Sequence, residues 1–152
     1  MTTFITKRLG PNDAALLKKL NDMFAQAFED PESYARKPPS DAYLTRLLRD
    51  DSFIAIVAMS EHTVIGGLAA YELKKFEQER SELYLYDLAV LEAHRRQHVA
   101  TRLIDTLKEV GKSCGAYVIF VQADKPDADA LAFYRKLTSH QEDVFHFDIA
   151  VA

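Results

Sequence analysis

Tyr86-Asp87-Leu88-Ala89-Val90 runs through Leu91-Glu92-Ala93-His94 into Arg95-Arg96-Gln97-His98-Val99-Ala100-Thr101. An apolar strand ends here and a helix begins. Val99, Ala100, Leu103, Ile104, Leu107 and Val110 form one helical stripe. The first turn of a helix has free backbone N–H groups and a partial positive charge. It therefore suits an anion, above all a phosphate or pyrophosphate. Arg95 and Arg96 add formal charge, Ala100 permits close approach to the backbone, and Thr101 adds a hydroxyl. Two arginines at a helix start can also be plain surface charge. The macrodipole disfavours them there, which points to an anion that offsets the cost.

Working outward, Phe4 to Leu9 reads as a short strand, and roughly 13–28 as an amphipathic helix with Asn12 or Asp13 as its cap. Asp30-Pro31 to Pro39 reads as irregular. Ser40 or Asp41 caps a second helix, with Tyr43, Leu44, Leu47 and Leu48 on its buried side. Ser52–Met59 and Thr63–Leu73 form a hairpin, and Glu82–Val90 a third strand of this group. After the 99–110 helix, bracketed by Gly111 and Gly115, Ala116–Ala123 is an apolar strand of the kind buried on both faces. Pro126 opens a last helix. The tail alternates as a final strand, with Phe145, Phe147, Ile149 and Val151 on one side. The order β-α-α-β-β-β-α-β-α-β gives the α/β (α+β) class. It predicts a mixed, mostly antiparallel sheet flanked by helices, with a right-handed parallel crossover at 82–123.

The 152 residues suit one domain, 1–152. Hydrophobic residues make up 48% and charged residues 28%, an ordinary globular balance. The net charge of −4 gives no basic surplus for nucleic acid. No apolar run approaches the ~18 residues of a membrane span. A single cysteine, Cys114, and no signal-peptide stretch make the cytoplasm the expected location. Cys114 reads as structural. His146-x-Asp148 supplies two ligands, a poor metal site, so no metal is expected.

The turn resembles the cofactor loop of the GNAT superfamily of N-acetyltransferases, Arg/Gln-x-x-Gly-x-Gly/Ala after a Leu-Ala-Val-type strand end. Arg95, Val99, Ala100 and Leu88-Ala89-Val90 match; His98 stands where the family usually has glycine. The resemblance implies the GNAT fold and acetyl-CoA as co-substrate. It places the pyrophosphate on the backbone of Arg95, Arg96, Gln97, His98, Val99, Ala100 and Thr101, with the His98 imidazole turned outward. Leu88, Ala89 and Val90 would hold the thioester and pantetheine, with a strand bulge freeing donors. Leu68–Tyr71, Lys75–Gln78, Arg80–Asp87, Gly115–Asp124 and His146–Ile149 resemble the type I aminoglycoside (gentamicin) 3-N-acetyltransferases more closely. Leu137-Thr138-Ser139 departs from the Leu-Gly usual there.

Counting by two, Asp87 shares a strand face with Leu83, Leu85 and Ala89. A carboxylate there must be paired or face a cavity. It reads as a structural aspartate or, on the resemblance, as the catalytic base or ammonium anchor. Tyr134 reads by spacing as a core tyrosine and, on the resemblance, as the acid for the departing thiolate. Tyr71, Glu77, Glu82, Asp124, His146 and Asp148 are the remaining candidates for gripping a small cationic substrate, an aminoglycoside on the resemblance. Asp124 is also a cofactor candidate. A homodimer is an expectation of the same kind. The alternatives are acetylation of another amine, such as a polyamine or a protein N-terminus, and a non-catalytic acyl-CoA-binding module.

Overall fold

The computed structural model describes residues 2–152. The chain forms two compact units, one up to Val121 and one from Gln122 to Ala152.

The larger unit is a five-stranded sheet with helices on it. Its elements are β1 (Ile5–Arg8), α1 (Ala14–Ala27), α2 (Pro31–Tyr34), α3 (Asp41–Arg49), β2 (Phe53–Ser60), β3 (Thr63–Lys74), β4 (Ser81–Val90), α4 (Val99–Cys114) and β5 (Ala116–Val121). The strands lie in the order β1-β2-β3-β4-β5. The first three pairings are antiparallel, and β4–β5 is parallel. The mixed, mostly antiparallel sheet is thus as the sequence predicts.

Some helix starts follow from a nearby polar group. Ser40 caps α3, its hydroxyl accepting from Tyr43 N at 3.1 Å. Asp13 precedes α1 but accepts instead from Gly10 N, at 2.7 Å, and from Lys7 Nζ. The 30–39 segment is not wholly irregular. Asp30 accepts from Ser33 N and Pro31 sits in the first turn, which together make the single turn α2. Helix α4 ends at Gly115, whose φ of 80° is the left-handed cap that glycine adopts without strain.

Cross-strand partners share a face, and this sorts the core into two layers. Phe53, Ala55 and Val57 of β2 pair with Tyr71, Ala69 and Gly67 of β3. That layer receives Leu17, Leu20, Met23 and Phe24 of α1 and Leu44 and Leu48 of α3. The opposite layer holds Ile54, Ile56, Leu68 and Ala70 beside Leu83 and Leu85. Buried Val99, Leu103, Ile104 and Leu107 of α4 belong to that side, where Val99 approaches Gly66. Each large side chain so buried contributes about 1.5–3 kcal/mol. Tyr43, predicted on the buried side of α3, is exposed.

β5 is apolar throughout yet not buried on both faces. It ends the sheet, so Tyr117 and Val118 are exposed. In the smaller unit α5 spans Ala128–Leu137, starting after Asp127, whose side chain accepts from Ala130 N, and not at Pro126. No strand follows α5 among the described residues, so the expected final strand at 144–151 is absent. Among the described residues no helix is long and apolar enough to cross a membrane.

Helix α1 reaches the sheet over Gly67. A Cβ there would stand 2.4 Å from Leu20 Cδ1 and 2.8 Å from the Ile56 carbonyl oxygen. Gly67→Ala should therefore cost about 1–3 kcal/mol of stability by overpacking, read as a lowered denaturant midpoint. An unchanged midpoint would mean that α1 can shift freely on β3.

Candidate active site

The site is organised by one irregularity in β4. Leu85 pairs with Ala70 of β3, and Asp87 pairs with the next residue back, Ala69. Tyr86 has no counterpart and forms a bulge. Ala69 and Ala70 point to opposite faces, so Asp87 does too relative to Leu85. The count by two placed Asp87 with Leu83 and Leu85; the bulge moves it to the layer of Tyr71 and Tyr84, under α1 and α2.

There Asp87 is half-buried. The Tyr34 hydroxyl donates to its Oδ1 at 2.9 Å. Burial pushes the Asp87 carboxyl above its ordinary range, and the Tyr34 bond pulls it partly back. The Tyr34 phenol is pushed far up, first by burial and then by Asp87, so it keeps its proton and stays a donor. Its position is fixed by a cluster of rings. Phe24 and Phe28 stack with centroids 5.4 Å apart, and Tyr34 lies 5.7 and 5.5 Å from them. Sequence reasoning missed Tyr34, since a single helical turn has no period to read.

An aromatic wall flanks Asp87. Tyr86 meets Tyr71 edge-on at 6.0 Å and Tyr84 at 5.6 Å, and Tyr84 stacks on Phe120 of β5 at 4.6 Å. Tyr71, a sequence candidate, is thus joined by Tyr84, Tyr86 and Phe120. Burial first, then the neighbouring Asp87 charge, raises the Tyr71 phenol. Tyr86 is 59% exposed and open to a ligand. Rings beside a carboxylate suit a cation with apolar or sugar-like surface.

Pairing of β4 with β5 stops at Leu85–Val121. Beyond it, 87–90 pair only with β3. Leu91 N donates to the Ile65 carbonyl of β3 at 2.8 Å. Alternation then turns the N–H groups of Leu88 and Val90 to the other edge, where no strand pairs with them among the described residues. Ala89 is buried between Leu88 and Val90. The bulge lies earlier than expected, at Tyr86.

A 3-10 turn, Glu92–His94, leads to the start of α4. Arg95 Nε donates to the Val90 carbonyl at 3.0 Å, so its guanidinium braces the turn. Gln97 accepts from Thr2 N at 3.0 Å. Arg96 and His98 have φ of 61° and 64°, in the left-handed region that favours glycine. His98 is the residue before α4 and its side chain makes no cap bond. Val99, Ala100 and Thr101 thus begin α4 with no side-chain cap from His98, which fits a backbone anion cradle.

Glu77 and Glu82 are brought together by Lys75, 3.6 and 3.7 Å away, and Glu82 also accepts from the Tyr117 hydroxyl at 2.8 Å. They are already partnered, so a polycation would have to displace Lys75. In the smaller unit, His146 Nε2 lies 2.7 Å from Asp148 Oδ1 in the exposed tail. Asp124 precedes α5, with its carbonyl accepting from Asp127 N. Tyr134 stands on α5, its ring 5.2 Å from Phe133. Burial, with Asp127, pushes its phenol up to about 12. Burial also pushes the Cys114 thiol up, away from the reactive thiolate.

The sequence pattern of the acetyltransferase (GNAT) family matches residues 17–138. Among solved structures, an aminoglycoside acetyltransferase from an uncultured soil metagenomic sample is 53% identical, with TM-score 0.95 over 99% of both chains. Another aminoglycoside acetyltransferase from an uncultured soil metagenomic sample, solved in complex with sisomicin, is 32% identical. Its TM-score is 0.91 over 98% of this chain and 97% of its own. A ribosomal-protein-alanine N-acetyltransferase from Brucella melitensis biovar Abortus 2308 shares the fold at 21% identity, with TM-score 0.75 over 97% of this chain and 100% of its own. None of the curated proteins compared matches the chain.

Two predictions follow from the geometry. His98→Gly removes a left-handed non-glycine residue and should change stability by about 0 to +1 kcal/mol, because glycine's larger unfolded entropy offsets part of the gain. Acetyl-CoA affinity by calorimetry should stay equal or improve; a marked loss would show that the imidazole itself binds the ligand. Tyr34→Phe removes the bond that lowers the Asp87 pKa, so that pKa should rise further. The acid limb of the kcat/KM–pH profile should then move to higher pH, and an unmoved limb would exclude Asp87 as the group it reports.

Proposed function

The chain belongs to the acetyltransferase (GNAT) family, and from that membership we propose that it transfers acetyl from acetyl-CoA to the 3-amino group of a gentamicin-type aminoglycoside. The observation that carries this reading is Asp87. It is a half-buried carboxylate held by Tyr34, walled by Tyr71, Tyr84 and Tyr86, beside the open edge of β4. Two 53% and 32% identical structures bearing the aminoglycoside acetyltransferase name support the substrate class. The Leu68–Asp87 and His146–Ile149 stretches support the 3-N position.

Acetyl-CoA supplies the activated acetyl group as a thioester. Its pyrophosphate would rest on the N–H groups of 96–101, with Arg95 and Arg96 adding charge. Leu88 and Val90 N–H would stabilise the carbonyl oxygen as negative charge grows on it. Asp87 would hold the substrate ammonium and draw off its proton, directly or through water. An ordinary aspartate near 3.9 is a weak base. The upward push from burial improves it.

Tyr134 is assigned on the family resemblance and its own chemistry. A thiol has a pKa of about 8.5, well below the Tyr134 phenol at about 12. Full proton transfer from Tyr134 to the departing thiolate is uphill. Tyr134 would therefore act mainly by hydrogen-bonding that thiolate, and the proton would come finally from the amine. Asp124, His146 and Asp148 would add to the grip on a polycation.

The test is release of free CoA with gentamicin, sisomicin and spermidine as competing acceptors. Turnover should favour the aminoglycosides, and product analysis should locate acetyl on the 3-amino group. Preference for spermidine would move the reading to polyamines, and tight acetyl-CoA binding without turnover would leave only a binding module. Asp87→Asn should lower kcat/KM by about 10²–10⁴ without loss of stability, because it removes a charge that burial disfavours. Tyr134→Phe should lose less. Wild-type turnover by Asp87→Asn would remove Asp87 from the chemistry.

A further inference from the structure

We propose that the stretch from Thr2 to Thr6 braces the turn before α4, and that Thr2 is a positioning residue for the pyrophosphate of acetyl-CoA. This rests on the proposed seat of the pyrophosphate at 96–101 and extends it to residues that touch no ligand.

Alternate residues of the segment that leads into β1 meet the turn and α4 in order. Thr2 N–H donates to Gln97 Oε1 at 3.0 Å, and the Thr2 hydroxyl lies 3.2 Å from His94 Nδ1. The Arg102 guanidinium lies over the Phe4 ring, 4.9 Å from its centroid. The Thr6 and Thr106 hydroxyls are 2.7 Å apart. Two residues of extended chain advance about 6.6 Å, and four residues of helix about 6 Å. The step from Phe4 to Thr6 therefore matches the step from Arg102 to Thr106. The segment runs beside α4 in register with it.

The turn is held from this segment at two points. His94 and Gln97 are half-buried, whereas Arg95, Arg96 and His98 are exposed. Both half-buried side chains meet Thr2. Arg96, with its left-handed φ, lies between them, and left-handed His98 follows Gln97 directly. A non-glycine residue keeps that conformation only where its surroundings fix it. Thr2 supplies such fixing from outside the turn, because its own segment is tied to α4 at Phe4 and Thr6. The spacing between the N–H groups of the turn and those of the first turn of α4 is then set through Thr2. Donors held in place before a charge arrives bind it more tightly than donors that must be ordered by it.

Thr2→Val keeps the shape of the side chain and removes its hydroxyl. The Kd for acetyl-CoA, measured by calorimetry, should rise about three- to tenfold, as for one lost hydrogen bond. Binding of S-acetylpantetheine, which lacks the pyrophosphate, should not change, and neither should circular dichroism or kcat at saturating acetyl-CoA. Thr2→Ser should restore the affinity. In a His94→Ala background Thr2→Val should add nothing, because its partner is already gone. Unchanged acetyl-CoA affinity in Thr2→Val overturns the proposal. An equal loss for both ligands also overturns it, since that marks a general structural contact. If the wild-type chain binds acetyl-CoA no more tightly than S-acetylpantetheine, the seat of the pyrophosphate fails first and the brace falls with it.

Discussion

Between Leu85 and Asp87, β4 carries one residue more than β3 can pair. A bulge bends its strand and increases the local twist. Here it has two effects at once. It turns Asp87 out of the α4 layer into the layer of Tyr71, Tyr84 and Tyr34. It also coincides with the end of pairing to β5, since Leu85–Val121 is the last pair and Tyr86 follows directly. With no second strand beside it among the described residues, the stretch from Asp87 to Val90 has alternate N–H groups that pair with no strand. The carboxylate and the backbone donors therefore arise from one extra residue.

A carboxylate so placed has to be supported. Partial burial disfavours its charge, and one phenolic hydrogen bond offsets part of that. The phenol is positioned to do this by the rings around it. Phe24 on α1 is fully buried, Phe28 stacks on it, and Tyr34 leans on both. The packing of α1 over Gly67 is thus continuous with the orientation of Asp87. A change in the first layer of the core can reach the site without touching it.

The five strands of the sheet and the long helices were legible because hydrophobic period is a local signal. The 52–73 hairpin and the 99–110 stripe follow from it directly. The face of Asp87 was not legible, since a bulge shifts the period by one and leaves no mark in residue types. Tyr34 was invisible for a related reason. Its role depends on a contact with Asp87 across 53 residues of sequence. Tyr84 and Tyr86 could have been found. The alternation Leu83-Tyr84-Leu85-Tyr86 already sets Tyr84 opposite the two leucines, toward the layer that holds the site. β5 misled in the other direction, because apolar composition does not tell a central strand from one at the end of a sheet.

The turn before α4 makes the converse point. Arg96 and His98 both adopt the left-handed conformation, at a cost of order 1–2 kcal/mol each for residues with a Cβ. Such strain persists only where the surroundings over-determine the backbone. Here Val99, Leu103 and Leu107 anchor the helix after it, Ala89 anchors the strand before it, and Arg95 clasps the Val90 carbonyl between them. The path is fixed from both ends, so glycine is the favoured occupant at 98 but not a required one. A cradle made of backbone N–H groups would tolerate histidine there, because what it would offer an anion is the path of the chain, not the side chain that stands on it.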